Sequence, residues 1–163
     1  MTSVYLETSI VSYLAAHPSR DLIVAAHQQI THSWWAESRK LYELHVSEAV
    51  LEEIRKGDPD AAQRRLAIVD GLPLLALNDD VAELAVTYGN QLGLPERAAV
   101  DVLHIAIAVA HGMDFLLTWN CAHIANGEVV RRLRALNEAI HTGTPIIVTP
   151  EELMRVPEGG GEE

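Results

Sequence analysis

Short apolar runs alternate along the chain with segments that carry helix signals. Five runs have the length and composition of buried strands: Val4–Leu6, Leu44–Val46, Leu72–Leu77, Phe115–Thr118 and Ile146–Val148. The segments between them begin with capping residues or proline and place apolar residues at helical spacings, so we expect helices there. Strands that alternate with helices form a parallel sheet covered on both faces. The pattern therefore predicts an α/β protein with a five-stranded parallel sheet.

One stretch, Ala99–Ala110, is apolar at nearly every position, which is typical of a buried helix. Pro95 suits the first helical position, and from that start Asp101 is the seventh residue, too far along to cap the helix. A buried carboxylate must be paired, hydrogen-bonded or metal-bound, because bare burial of its charge is very costly. We interpret Asp101 as a functional carboxylate. Two alternatives stay open, a cation partner such as Arg97 and a shorter helix that places Asp101 near its start.

Two helices near the start of the chain are predicted from their end signals. A short helix spans Ile10–Ala16, and Ser19 is a good N-cap for a long helix that follows. The long helix contains Trp34 and Trp35, whose side chains point about 100° apart around the axis because they are neighbours. We expect one of the two in the core and the other exposed or in an interface.

Length, composition and cysteine content indicate one ordinary domain. The chain has 163 residues, of which 48% are hydrophobic and 21% charged. We expect a single domain over residues 1–156 and a disordered tail at residues 157–163. The one cysteine, Cys121, cannot form an intrachain disulfide, nothing resembles a signal peptide, and the apolar runs are too short for a bilayer. These features predict a soluble cytoplasmic protein without membrane contact.

The charge of the chain is strongly acidic. Twelve basic and 23 acidic residues give a net charge of −11, so no general field attracts nucleic acid. Binding of nucleic acid would need a local basic patch. Candidates for such a basic rim are Arg131, Arg132 and Arg134 in one predicted helix and Arg55 and Lys56 in another. The alternative that these are ordinary solvated helix faces stays open.

Polar side chains follow the predicted strands at the edge where parallel sheets bind ligands. Glu7 follows the first strand, an acidic helix follows the second, and Asn120 follows the fourth. Together with Asp101 they form a set of acids that repel one another unless a cation is shared. Oxygen ligands without cysteine favour Mg²⁺ or Mn²⁺ over zinc. Such a cation can brace a phosphate and activate water, so the set predicts phosphodiester hydrolysis.

The acidic helix offers Glu48, Glu52 and Glu53. Val50 and Ile54 mark its buried side, and Glu53 neighbours that side while Glu52 points about 100° away. We therefore expect Glu53 to face the site and Glu52 to face water.

Each candidate also has an ordinary structural explanation. Glu7 could be a solvated strand end, and Asn120 a simple turn residue. His104 lies three residues after Asp101 and could lean over the site, although a hydrogen-bonded core histidine is the commoner case. No role is assigned to His111 or His123.

Four segments resemble, in order, the motifs of the PIN-domain nucleases, the family of the VapC-like toxins. They are Tyr5–Leu14, Val46–Ile54, Asp101–Ala106 and Leu116–Asn120. The resemblance extends from about Val4 to Leu153, nearly the whole chain. Each motif is weak alone, and their order makes the set specific.

The resemblance implies a three-layer α/β/α domain that acts as a metal-dependent ribonuclease with Mg²⁺ or Mn²⁺. It also implies RNA as substrate, a cognate antitoxin protein as partner, and a homodimer. By position it assigns Glu7, Glu53, Asp101 and Asn120 as catalytic and metal-binding residues. Glu7 stands where most members have aspartate and Asn120 where many have an acid, although both keep an oxygen ligand. The alternatives are a PIN-like module that only binds RNA or protein, and a metal-dependent phosphatase.

Overall fold

Five parallel strands form the sheet of the protein, which was analysed as a computed structural model that describes residues 1–156. The strands are β1 (Thr2–Leu6), β2 (Tyr42–Ser47), β3 (Leu74–Leu75), β4 (Phe115–Leu117) and β5 (Ile146–Val148). Their order across the sheet is β3-β2-β1-β4-β5, with β1 in the centre. Val4 of β1 is in register with Leu44 of β2 on one side and with Phe115 of β4 on the other.

Helices flank the sheet in a three-layer α/β/α arrangement, which confirms the predicted fold class. Their bounds are α1 (Thr8–Ala15), α2 (Leu22–Glu37), α3 (Glu48–Ile54), α4 (Pro59–Val69), α5 (Asp79–Gln91), α6 (Ala99–Ala110) and α7 (Gly127–Ala139). Short 3₁₀ turns precede β2 and α6, at Arg39–Leu41 and Glu96–Ala98. None of the helices within residues 1–156 has the length and apolar character needed to cross a membrane.

The core lies between the central strand and α6. Val4, Tyr5 and Leu6 of β1 are fully buried, as is the middle of α6 from His104 to Ala108. Because α6 is apolar on all sides, it packs against the sheet on one side and against α5 on the other. The apolar segment Ala99–Ala110 is therefore a core helix, as predicted.

The start of α6 differs from the prediction. Pro95 has an extended backbone (φ −67°, ψ 158°) and precedes the 3₁₀ turn Glu96–Ala98, so the α-helix begins only at Ala99. Asp101 consequently lies in the first turn of α6, and its side chain is 22% exposed. The prediction that the helix begins at Pro95 is wrong, and the alternative of a shorter helix is correct.

Carboxylates, rather than a serine, cap the first two helices. Glu7 is the N-cap of α1, which starts at Thr8, two residues before the predicted start. Asp21 caps α2, with its Oδ1 accepting from the N–H groups of Ile23 and Val24 at 3.0 Å. Ser19 instead accepts from the N–H of Asp21 at 3.1 Å, so its predicted role as N-cap is wrong. Ser19 and Asp21 are both good capping residues, and Asp21, which directly precedes the helix, is the one that caps it.

One tryptophan of the adjacent pair lies in the core, as predicted, whereas the other is partly buried against the core and not exposed. Trp34 is fully buried and donates its indole N–H to the carbonyl of Leu153 at 3.2 Å. Trp35 is partly buried, and the guanidinium of Arg39 lies 4.6 Å from the centre of its ring. The disordered tail predicted for residues 157–163 lies outside the described residues.

Candidate active site

The candidate site lies at the carboxyl edge of the sheet, where the strand order reverses between β1 and β4. In open parallel sheets such a reversal leaves a crevice for ligands. Glu7 directly follows β1, and the segment Thr118–Asn120 directly follows β4. Because a helix after a parallel strand runs back across the sheet, α1, α3 and α7 begin at this edge. Helix α6 also begins there, because it precedes β4 and its first turn carries Asp101, which pairs with His123. Their N-terminal dipole ends give the edge a local preference for anions.

Glu7 is held by three donors. Its Oε2 accepts from the backbone N–H of Ser9 at 3.1 Å, and its Oε1 accepts from the Ser9 hydroxyl at 2.6 Å. The Thr118 hydroxyl also donates to Oε1, at 2.5 Å. Glu7 is only 5% exposed, so the alternative that it is a solvated strand end is wrong. Its carboxylate joins the end of the central strand to the end of β4.

Glu53 lies near the end of α3, and its side chain is 32% exposed. Its Oε1 accepts from Nε2 of His104 at 2.5 Å and from the Thr8 hydroxyl at 2.6 Å. Burial alone would raise the pKa of Glu53, but the hydrogen bonds from His104 and Thr8 outweigh it and hold that pKa below its ordinary value. Glu53 is therefore ionised at neutral pH. Glu52 is exposed to solvent, as predicted.

Asp101 pairs with His123, a histidine that has no assigned role in the sequence analysis. Nδ1 of His123 lies 2.9 Å from Oδ2 of Asp101, and both side chains are about one-fifth exposed (21% and 22%). The backbone N–H of His123 donates to Oδ1 of Asn120 at 3.0 Å. Asn120 thus stabilises the turn that brings His123 to Asp101. Arg97, the partner considered from the sequence, does not pair with Asp101.

Three of the four predicted residues belong to one hydrogen-bonded set. From Asp101 the set runs through His123 to Asn120, whose backbone N–H donates to the Thr118 hydroxyl at 2.9 Å. Thr118 in turn donates to Glu7. Four contacts therefore connect three of the four predicted residues across the crevice edge.

Glu53 is not hydrogen-bonded to this set, but its partners are chain neighbours of two of its members. Its partner Thr8 is the residue after Glu7, and its partner His104 lies one turn beyond Asp101 on α6. The fold thus brings all four predicted residues to the same edge of the sheet.

A buried polar chain lies behind Glu53. Nδ1 of His104 is 2.6 Å from the hydroxyl of Tyr5, and that hydroxyl is 2.7 Å from Oγ of Ser47. Ser47 also caps α3 by accepting from the N–H of Val50 at 3.2 Å. Burial raises the pKa of Tyr5 far above its ordinary value, so its hydroxyl stays protonated.

The oxygen chemistry of the site suits Mg²⁺ or Mn²⁺. Oε2 of Glu53 and Oδ1 of Asp101 accept no hydrogen bond from residues 1–156, so each carboxylate keeps one oxygen for a ligand. As they stand, no three His, Cys, Asp or Glu side chains in that part of the chain converge on one position that could hold a metal. Mg²⁺ usually binds through one or two carboxylates and keeps several waters, and the site fits that mode of binding.

Several residues of the site were not found from the sequence. Thr8 and Thr118 are hydroxyl donors to Glu53 and Glu7, and each lies within one or two residues of a predicted site residue. His123 follows Asn120 by three residues, the spacing at which an asparagine side chain caps a backbone N–H. Tyr5 carried no signal, since it reads as one apolar residue of a buried strand.

The arginines of the predicted basic rim differ in their surroundings. Arg131 is exposed and pairs with Glu128 at 2.8 Å. Arg132 donates to the carbonyl of Leu92 at 3.1 Å and so connects α7 to the end of α5. Arg134, Arg55 and Lys56 are exposed.

No protein-family model matches the sequence of this chain, and no curated protein matches it.

Comparison by structure places the chain among proteins with the fold of VapC toxins. It superimposes on Mycobacterium tuberculosis VapC20, described as a sarcin–ricin loop-cleaving toxin, with a TM-score of 0.58 and 18% identity over 73% of this chain and 91% of that chain. Rickettsia felis VapBC2, bound to a DNA fragment from its promoter, gives 0.57 and 17% over 91% and 98%. VapBC-1 from nontypeable Haemophilus influenzae gives 0.56 and 12% over 92% and 99%. The fold implied by the resemblance to PIN-domain nucleases is thus confirmed.

Proposed function

We propose that the protein is a metal-dependent endoribonuclease and the toxin of a toxin–antitoxin pair. The observation that carries this proposal is the meeting of Glu7, Glu53, Asp101 and Asn120 at the strand-order reversal of a VapC-like fold. Two of these carboxylates keep an unbonded oxygen, and four helix N-termini lie at the same edge. Such an edge combines ligands for a hard cation with a preference for a phosphate.

In this proposal Glu7, Glu53 and Asp101 hold Mg²⁺ or Mn²⁺, directly or through water, and Asn120 orients water. The bound cation supplies charge stabilisation for the phosphate and activation of water. The chain's own residues fix the carboxylates: Thr118 and Ser9 hold Glu7, while His123 holds one oxygen of Asp101. Glu53 and Asp101 then each offer a defined oxygen, which limits the reorganisation needed when a cation binds.

The direct test is cleavage of a structured RNA by the purified protein. Chelation should abolish cleavage, and Mg²⁺ or Mn²⁺ should restore it while Zn²⁺ does so poorly. Asp101→Asn should lower the cleavage rate by at least about 100-fold, because it removes a ligand charge. Asp114→Asn is the control, since Asp114 precedes β4 at the opposite edge and its carboxylate accepts from the N–H and the hydroxyl of Ser3. Full activity in chelator would overturn the metal-dependent mechanism.

The toxin role and its partners are part of the same proposal. Two of the similar structures are VapBC proteins, which supports a protein partner for this chain as well. Expression of the chain alone in a bacterial host should stop growth, whereas Asp101→Asn should not. We further expect a homodimer, which sedimentation would show as a particle of twice 17.9 kDa.

A second candidate function is binding of RNA without cleavage. It is favoured by the lack of three converging metal-binding side chains in residues 1–156 and by the use of Asn120 Oδ1 in a turn. This function predicts RNA affinity that survives chelation and no strand scission under any metal. Cleavage that depends on Asp101 would exclude it.

A further inference from the structure

The polar chain Ser47–Tyr5–His104 is unusual because it is buried throughout and ends on a partly exposed carboxylate. Tyr5, Ser47 and His104 are all fully buried, whereas the Glu53 side chain is 32% exposed. A buried polar network is costly where any member lacks a partner, and a fully bonded one holds its side chains in a single arrangement. A chain of this kind that leads from the core to one carboxylate of the candidate site points to a role at that site.

The hydrogen bonds assign a direction to the chain. Glu53 is ionised and only accepts, so Nε2 of His104 carries the proton and donates to Oε1. Nδ1 of the neutral ring then accepts from the Tyr5 hydroxyl, whose oxygen accepts from Ser47. This assignment, made from the network, gives every donor in the chain an acceptor.

The same chain fixes the helix that carries Glu53. Ser47 caps the start of α3, and His104 binds Glu53 near its end. Thr8 of α1 adds a second donor to the same oxygen, Oε1. Elements β1, α1, α3 and α6 therefore all act on one side chain and leave its other oxygen, Oε2, without a protein donor among residues 1–156.

We propose that His104, oriented by Tyr5, is a positioning residue that binds Oε1 of Glu53 and so presents Oε2 to a divalent cation. This inference rests on the proposed function, because it concerns how one of the metal-binding carboxylates is prepared. A hydrogen-bonded partner behind a ligating carboxylate typically changes metal affinity by about 10–100-fold. Tyr5 acts one step further away by keeping the proton of His104 on Nε2.

The test is calorimetric titration of Mn²⁺ into the full chain without RNA. His104→Gln can place an amide N–H where Nε2–H lies, whereas His104→Asn places its amide at the Nδ1 position. We expect His104→Asn to weaken Mn²⁺ binding by about 10-fold or more and His104→Gln to remain near the wild type. A merely structural histidine would lose stability in both variants and change Mn²⁺ affinity in neither.

A second pair of variants decides the matter if His104→Asn does not fold. Tyr5→Phe removes the hydroxyl that orients His104, and Tyr88→Phe removes the hydroxyl of another buried tyrosine, which donates to Asn137, outside this set. Both should lower the melting temperature. Only Tyr5→Phe should weaken Mn²⁺ binding, by about 10-fold at most.

The outcomes separate this inference from the function on which it rests. A wild-type chain that binds no Mn²⁺ overturns the metal-dependent function, and the positioning role with it. A wild-type chain that binds Mn²⁺, with His104→Asn or Tyr5→Phe binding it equally well, overturns the positioning role alone. Equal weakening in His104→Gln and His104→Asn overturns the specific bond from Nε2.

Discussion

At the scale of single residues, Glu7 has two structural roles: it caps α1 and it binds the segment after β4. Its longer side chain reaches back to cap α1 at Ser9 and also accepts from Thr118 after β4. Glutamate is not a common N-cap, because its carboxylate must fold back to meet the first N–H groups. Most family members have aspartate at this position. The longer side chain of Glu7 makes a second contact, with Thr118, that the shorter side chain of aspartate would lose.

Glu7→Gln should reduce both stability and metal binding. The amide loses the charge that suits the helix N-terminus and keeps only one of the two accepting oxygens, so we expect the free energy of unfolding to fall by about 1–2 kcal/mol. Mn²⁺ binding and RNA cleavage should be lost. Glu7→Asp should keep the cap and bind Mn²⁺ more weakly, with activity partly recovered at high Mn²⁺. Urea unfolding and calorimetry measure the two effects, and wild-type Mn²⁺ affinity in Glu7→Gln would remove Glu7 from the ligand set.

Glu53 and Glu52 make a matched pair for pH dependence. The folded state holds the pKa of Glu53 below the ordinary value of 4.5, because the bonds from His104 and Thr8 outweigh the effect of burial. The stability this provides is complete above pH 4.5 and is lost as the pH falls through the lowered pKa of the folded state.

In chelator, Glu53→Gln should therefore be less stable than wild type at pH 7, and the difference should shrink as the pH falls below about 4.5. Glu52→Gln, at an exposed position, should follow the wild type at every pH. Urea unfolding at pH 7 and pH 3.5 provides the measurement. A constant difference between Glu53→Gln and wild type would show that the carboxylate charge has no part in the bonds to His104 and Thr8.

At the scale of elements, α7 is the helix whose surface bears on RNA binding. Arg132 is engaged with the carbonyl of Leu92, so its removal should chiefly loosen the contact between α7 and the end of α5. Arg134 is exposed and is the better candidate for a phosphate contact.

Arg134→Ala should weaken RNA binding and flatten its dependence on salt by about one unit of slope. Arg39→Ala is the control, because it removes the same charge from the turn before β2, at the opposite edge of the sheet. Fluorescence titration of labelled RNA between low and physiological salt gives both slopes. Equal slopes for the two variants would mean that RNA binds along another face.

The bounds of the strands and helices show where sequence patterns predict an element correctly and where they do not. Strand β5 was predicted with its observed bounds, because its apolar run is short and isolated. Errors arose where two signals competed within a few residues. Ser19 competed with Asp21, and Pro95 competed with the later start of α6. Where two start signals compete, tertiary packing determines which residue begins the helix, and local sequence does not reveal that packing.

At the scale of the whole molecule, the position of the site could be predicted but its connections could not. The rule that ligands bind beyond parallel strand ends was sufficient to select Glu7 and Asn120. The strand order that brings β4 beside β1 depends on pairings between residues more than 100 apart, such as Val4 with Phe115. Contacts such as Asp101 with His123 follow from that order. The sequence therefore indicated the chemistry of the set without its network of donors.

The melting temperature in the presence of Mn²⁺ provides a test of the metal site that involves neither RNA nor cleavage. Its interpretation depends on the net charge of −11. A strongly acidic chain repels itself, so any salt should raise its melting temperature modestly through screening. A cation that binds the folded state at one site adds a further term, about 2.7 kcal/mol when its concentration is 100 times the dissociation constant. For a domain of this size that corresponds to about 5–10 °C. Mn²⁺ should therefore raise the melting temperature of the wild type well beyond NaCl of equal ionic strength. Asp101→Asn, which removes one carboxylate charge from the edge of the sheet, should respond to Mn²⁺ only as it does to NaCl. If Mn²⁺ and NaCl act alike on the wild type, the acids of this edge do not form a metal site.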